Sequence, residues 1–143
     1  MFIEKIFFKK ELYALIIRAK KQFKKTGVNF ITSRKDSLQL GFLKHSKNHK
    51  IQPHAHKKKN FKIRFISEFL FIKKGELKVF FFNYSGKNIN KDKILKKNDV
   101  ILLIKGGHGF KIKRNSEIIE VKQGPYTEAN DKILFNEKEI NSR

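Results

Sequence analysis

The sequence predicts an all-β protein with a single main domain, and three observations support this. From about residue 37 onward, short apolar runs alternate with turn signals at the spacing expected of a β-sandwich or barrel. Several of these runs, including FLFI, VFFF and VILLI, are apolar on both faces, which suits strands that are covered on each side. The 143 residues are enough to bury one core.

The turn signals divide this region into short predicted strands. The signals are Lys73-Lys74-Gly75, Asn83-Tyr84-Ser85-Gly86, Lys97-Asn98-Asp99 and Gly106-Gly107. The predicted strands are Leu38–Leu43, Ile51–His56, Phe61–Ile66, Glu68–Ile72, Glu76–Tyr84, Ile89–Ile94, Val100–Ile104, Phe110–Lys113 and Ile118–Lys122. We therefore place the main domain at residues 37–126, after an extension at 1–36 and before a polar surface tail at 127–143.

The extension at residues 1–36 has two interpretations. Glu11–Lys25 contains no Gly or Pro, so it could form an amphipathic helix. Ile16 and Ile17, with aromatic residues around them, also suit a strand that pairs with Phe2–Phe8. We favour the hairpin, and in either case expect the segment to pack on the barrel.

Composition excludes several classes of protein. The chain has no cysteine, so disulfides and thiolate metal sites are both excluded. No apolar run approaches the roughly 18 residues needed to span a bilayer, and charges interrupt the first 21 residues, where a signal peptide would need an apolar core. We therefore expect a cytoplasmic protein that is not embedded in a membrane.

The positive charge has two interpretations. Lys and Arg total 34 against 13 Asp and Glu, a net charge of +21, which attracts polyanions such as nucleic acids. The excess is almost all Lys, and it accompanies many Asn, Ile and Phe, the residues that AT-rich codons specify. The lysines are also spread along the chain, and the aromatic residues lie inside strand-like runs, so we favour a solvated surface over a nucleic-acid site, without excluding the latter.

Three histidines and one glutamate form the pattern with the clearest chemistry. His54 and His56 are two residues apart on a predicted strand, so their side chains point to the same face and can reach one metal ion. Glu68 begins an apolar strand, where an isolated carboxylate is costly unless it is paired. His108 follows Gly106-Gly107 at the mouth of a predicted hairpin.

These residues resemble the two motifs of the cupin superfamily. The first motif corresponds to His54-x-His56 followed by Glu68-(x6)-Gly75, and the second to the run from Asn98 to Phe110. Two features depart from the usual pattern: the gap between His56 and Glu68 is longer than usual, and Gly106-Gly107 replaces a Pro-containing turn. The segments SLQLGFLK, IQPHAH, GGHGF and IEVKQGPY are similar to those of small single-domain cupins found among nucleotide-sugar and polysaccharide genes.

The resemblance implies a double-stranded β-helix, or jelly-roll barrel, that forms a homodimer. It also implies one divalent metal ion held by His54, His56, Glu68 and His108, or by the three histidines and water if the strand register differs. Without sulfur ligands, Fe, Mn, Ni, Co and Zn all remain candidates.

Further residues are predicted to bind a small-molecule substrate because of their polar side chains and positions near the barrel. They are Gln39, Arg64, Lys78, Glu120, Lys122, Gln123 and Tyr126. A cation near a divalent metal would suit an anionic ligand such as a phosphorylated sugar.

Three functions stay open at this point. The first is a metal-dependent enzyme acting on a small polar metabolite, an isomerase or epimerase of sugars or nucleotide sugars, or an oxygenase. The second is a non-catalytic cupin that binds or senses such a ligand. The third is an electrostatic nucleic-acid-binding protein, whose affinity would fall steeply with salt.

Overall fold

The protein is all-β, and its chain divides into two compact units. The computed structural model describes residues 3–60, 62–126 and 131–136, and no helix occurs in this part of the chain. The sheet unit comprises Met1–Lys21 and Phe65–Arg143, and the ribbon unit comprises Gln22–Arg64. None of the described residues therefore forms a helix that could cross a membrane.

The sheet unit begins with a hairpin. Strands β1 (Glu4–Phe8) and β2 (Glu11–Ile17) pair antiparallel, so of the two interpretations of this segment the structure has the hairpin. β2 is buried on both faces in its central part, which explains how an apolar run that lacks strict alternation still forms a strand. Met1 and Phe2 lie outside the described residues.

A long central strand organises the rest of the sheet unit. β5 (Glu68–Phe82) pairs along its full length with β8 (Gly107–Lys122). The other edge of β5 is shared by two short strands, β7 (Val100–Leu103) at its start and β6 (Lys93–Lys96) further along. β2 pairs with β7, so the order in this antiparallel sheet is β1-β2-β7-β5-β6, with β8 on the free edge of β5.

An irregularity in β5 allows both of its halves to contribute to one core. The register with β8 shifts between Ile72 and Leu77. Before the shift the core residues are even-numbered, Leu70 and Ile72, and after it they are odd-numbered, Leu77, Val79 and Phe81. Because strand side chains alternate between faces, an extra residue at a bulge reverses which positions point inward.

Gly75 is required at this irregularity. Its φ is +91°, in the left-handed region, and a Cβ added to it would collide with Ser116 and with the carbonyl oxygen of Asn115 on β8. The glycine that was predicted to mark a turn therefore lies inside a strand, at the point where β5 and β8 bend together.

The ribbon unit contains the remaining two strands. β3 (Gly27–Phe30) and β4 (Gly41–Lys44) form an antiparallel pair, with Val28 opposite Leu43. The rings of Phe23 and Phe42 stack with their centroids 3.8 Å apart. Residues 45–60 of this unit form no strand.

Several strand predictions are confirmed in position but not in extent. Val100–Ile104 corresponds to β7, whereas Leu38–Leu43 and Ile89–Ile94 shift to β4 and β6. Glu68–Ile72 and Glu76–Tyr84 merge into β5, and Phe110–Lys113 and Ile118–Lys122 merge into β8. A local pattern interrupted by turn residues cannot distinguish a turn from a bulge, because that choice depends on whether a partner strand continues alongside.

Two strand predictions are wrong. Ile51–His56 forms no strand, and neither do residues 62–66 of the predicted strand Phe61–Ile66, whose first residue lies outside the described residues. Pro53 lacks an N–H to donate to a ladder, and residues 51–60 are exposed, so no packing favours a strand there. The predicted surface tail is described only at residues 131–136.

Candidate functional site

Glu68 and His108 come together inside the sheet unit. Glu68 is the first residue of β5, while His108 is near the start of β8 and pairs with Phe81, close to the other end of β5. A straight strand from residue 68 to 81 would span roughly 40 Å. His108 Nε2 nevertheless lies 3.0 Å from Glu68 Oε2. The antiparallel pair of β5 and β8 therefore curls until its two ends meet.

The pair is partly protected from solvent. The Glu68 side chain is 15% exposed and that of His108 is 26% exposed. The hydrogen bond from His108 lowers the pKa of the Glu68 carboxyl below its usual value, and this outweighs the opposing effect of burial. The positive charges of Lys122 and Lys132 act in the same direction. Glu68 is thus held as a carboxylate.

Three of the predicted substrate-binding residues lie at the same end of β5 as Glu68. Lys122 is the cross-strand neighbour of Glu68 on β8, and its Nζ lies 4.5 Å from the centroid of the Tyr126 ring. Gln123 follows on the chain, and its Oε1 accepts a hydrogen bond of 2.7 Å from the backbone N–H of Ser67. A cation, a ring and a positioned amide therefore surround the start of β5.

His54 and His56 lie in the ribbon unit, in the exposed stretch without a strand. Their rings meet edge to face, with centroids 5.3 Å apart. His54 Nδ1 is 2.9 Å from the carbonyl oxygen of Gln52, which can only accept, so Nδ1 is the donor in this contact. The prediction that strand alternation aligns these two histidines is wrong, since no strand forms.

The predicted four-residue metal site draws on both units and stays a prediction. Within neither unit do the described residues bring three or more His, Asp or Glu side chains together as a metal-binding group. What each unit contributes is a pair of candidate ligands: Glu68 with His108, and His54 with His56.

Four other predicted residues are placed as follows. Gln39 holds a turn through its Nε2, which donates to the carbonyl oxygens of Ser33 and Asp36. Lys78 forms an ion pair of 3.3 Å with Asp92 on the face of β5 that points away from Val79 and the core. Glu120 lies opposite Leu70 and is exposed. Arg64 is exposed at the end of the ribbon unit and has an interaction partner.

Sequence reasoning missed two contributors to the site. Phe110 packs beside His108 with ring centroids 5.4 Å apart, and its spacing of two along β8 is a signal that could have identified it. Lys132 contributes to the lowered pKa of Glu68 from the polar tail, and nothing in the local sequence distinguishes it from the other lysines.

Comparisons with known proteins identify no family. No family model matches the chain, and no curated protein or solved structure matches it significantly.

Proposed function

We propose that this protein binds one divalent transition-metal ion at Glu68 and His108 and uses it to bind a small polar metabolite. The contact of 3.0 Å between Glu68 Oε2 and His108 Nε2 is the observation that carries the proposal. Two ligand atoms at adjacent positions, each about 2.1 Å from one metal ion and at a right angle, are about 3.0 Å apart. A metal could thus replace the shared proton with little movement of either side chain.

The donor atoms limit which metal would bind. One imidazole and one carboxylate form a borderline set that suits Fe, Mn, Ni, Co or Zn. In this proposal the curled sheet is the jelly roll of a cupin that forms a homodimer, and His54 and His56 are the two further ligands that the sequence motif predicts. Four protein ligands leave two octahedral positions for a chelating substrate.

The neighbouring residues support a small anionic or hydroxylated ligand. Lys122 offers a cation next to Glu68, and the Tyr126 ring, which holds the Lys122 ammonium, offers a flat surface. When bound, the metal would act as a Lewis acid on a carbonyl or hydroxyl oxygen of the ligand. An isomerase, an epimerase, an oxygenase and a sensing protein all remain within the proposal.

Metal binding by purified variants tests this proposal. We expect isothermal titration with Mn, Co, Ni and Zn to give one site per chain, weakened at least about tenfold by Glu68→Gln or by His108→Asn. Glu117→Gln is the matched control, since it removes an exposed carboxylate from β8, the strand that carries His108. It should leave the affinity for the metal unchanged. Circular dichroism of each variant verifies folding.

The same titration separates the two ligand pairs. A double variant combines His54→Asn and His56→Asn. If it weakens metal binding as much as Glu68→Gln does, the prediction of four protein ligands gains direct support. If only Glu68 and His108 matter, the site has two protein ligands. Equal affinities for the parent chain, Glu68→Gln and His108→Asn would show that the pair is a structural hydrogen bond and would remove the proposal.

A further inference from the structure

The ribbon unit contains a disproportionate share of the positive charge. Gln22–Arg64 holds twelve of the chain's 34 Lys and Arg but only one of its 13 acidic residues, a net charge of +11 in 43 residues. No Asp or Glu occurs between Asp36 and Glu68. The lysines look evenly spread along the sequence, but the acidic residues that balance them do not.

Most cations of the ribbon unit are not neutralised by ion pairs within the described part of the chain. Apart from Arg64, which has an interaction partner, no described Lys or Arg of this unit takes part in an ion pair, and the ion pairs of the sheet unit stay within that unit. The single carboxylate of the ribbon unit, Asp36, accepts a hydrogen bond of 2.8 Å from the backbone N–H of Ser33 within a turn. The charge of this unit is therefore available to an external anion.

One place in the ribbon unit combines this charge with a concave shape. An open cavity of about 500 Å³ is lined by Ala55, His56, Lys57 and Lys59. Small Ala55 leaves room in it, while the imidazole and the two ammonium groups supply up to three positive or hydrogen-bonding groups within five consecutive residues.

We propose that the cavity lined by Ala55, His56, Lys57 and Lys59 binds a phosphate or diphosphate group. Phosphate oxygens are strong acceptors that need donors and positive charge, and Lys is an established phosphate ligand acting as a point charge. No carboxylate of the same stretch of sequence, between Asp36 and Glu68, competes for these lysines. The phosphate could belong to a small phosphorylated metabolite or to a nucleic-acid backbone. This proposal does not require the metal proposed at Glu68 and His108, although His56, which lines the cavity, is also one of the two further metal ligands that the sequence motif predicts.

The test must separate a specific site from the general attraction of a chain with a net charge of +21. We would compare two double variants. The first combines Lys57→Gln and Lys59→Gln, and the control combines Lys87→Gln and Lys91→Gln, which removes the same charge from the sheet unit. All four lysines are exposed, and none of them forms an ion pair within the described part of the chain. The probes are inorganic pyrophosphate and a single-stranded oligothymidylate.

Specific binding predicts unequal losses. We expect the Lys57/Lys59 variant to bind the preferred probe about tenfold or more weakly, which equals about 1.4 kcal/mol, and the control to change less than about twofold. Tighter binding of pyrophosphate assigns the site to small phosphorylated ligands. Tighter binding of the oligonucleotide, with a log–log salt slope of about −0.7 per phosphate contacted, assigns it to single strands.

Two outcomes would overturn the proposal. Equal losses in the two variants would show that the anions respond to overall charge alone. The lack of measurable binding of either probe by the parent chain at about 50 mM salt would show that the cavity does not hold phosphate. The NMR chemical shifts of the His56 ring provide a second measurement. On addition of pyrophosphate they should change in the parent chain and not in the Lys57/Lys59 variant.

Discussion

Arg18 Nη1 donates a hydrogen bond of 2.8 Å to Oδ2 of Asp99, a residue 81 positions further along the chain. The same nitrogen donates to the carbonyl oxygen of Ile94 at 2.6 Å, and Nε donates to Glu4 Oε1 at 2.6 Å. The Asp99 side chain is only 6% exposed. One guanidinium thus ties the N-terminal hairpin to the turn between β6 and β7.

Removing this guanidinium should destabilise the protein. Arg18→Met keeps most of the apolar stem but leaves the buried Asp99 carboxylate with only its backbone donors, from Ala19 and Lys96. We expect a loss of about 2 kcal/mol in the free energy of unfolding, measured by urea denaturation. Lys73→Met, which breaks an exposed ion pair with Glu117, should leave stability unchanged. Equal effects of the two substitutions would contradict the importance of the Arg18 network.

Gly75 offers a test of the bend in β5. Gly75→Ala combines a left-handed backbone with a collision against Ser116, so we expect a loss of about 2 to 4 kcal/mol in the free energy of unfolding. Gly27→Ala is the matched control, since Gly27 has a similar φ of +86° but nothing within 4 Å of an added Cβ. Its loss should stay near about 1 kcal/mol. A larger effect at Gly27 would mean that the close approach of β5 and β8 does not matter.

The Glu68–His108 pair predicts an acid-dependent contribution to stability. The pKa of Glu68 is lowered in the folded protein by the hydrogen bond from His108, so the carboxylate stabilises the fold above its usual pKa of 4.5. This contribution should be lost as the pH falls through the lower folded value. Between about pH 6 and pH 3, the parent chain should therefore lose a stability advantage of about 1 kcal/mol over Glu68→Gln.

Urea denaturation across this pH range provides the measurement. His108 is the largest cause of the lowered pKa, so in the background of His108→Asn the effect of Glu68→Gln should shrink and vary less with pH. An undiminished, pH-dependent effect in that background would show that other charges, such as Lys122, hold the carboxylate.

Part of the candidate site could be predicted from local sequence. Glu68 and His108 could be singled out as site residues, because one is an isolated acid in an apolar strand and the other a histidine beside a glycine pair. The structure places their side chains in contact. The prediction of a strand that carries His54 and His56 is wrong. It relied on the spacing of the two histidines, without any evidence of a partner strand. Lys132 could not be predicted, since its influence on Glu68 depends only on proximity in space.

The sequence by itself determined that the chain is all-β, because β-branched and aromatic runs express their propensity locally. For the first residues it favoured a hairpin over a helix, and the structure decided for the hairpin. It also determined the charge and the absence of thiol chemistry. Only the tertiary structure decided that Gly75 lies at a bulge and not in a turn, and that the curled pair of β5 and β8 brings residues 68 and 108 together. Strand pairing is non-local, and the free energy that selects one register comes from the shared core, which no short segment contains.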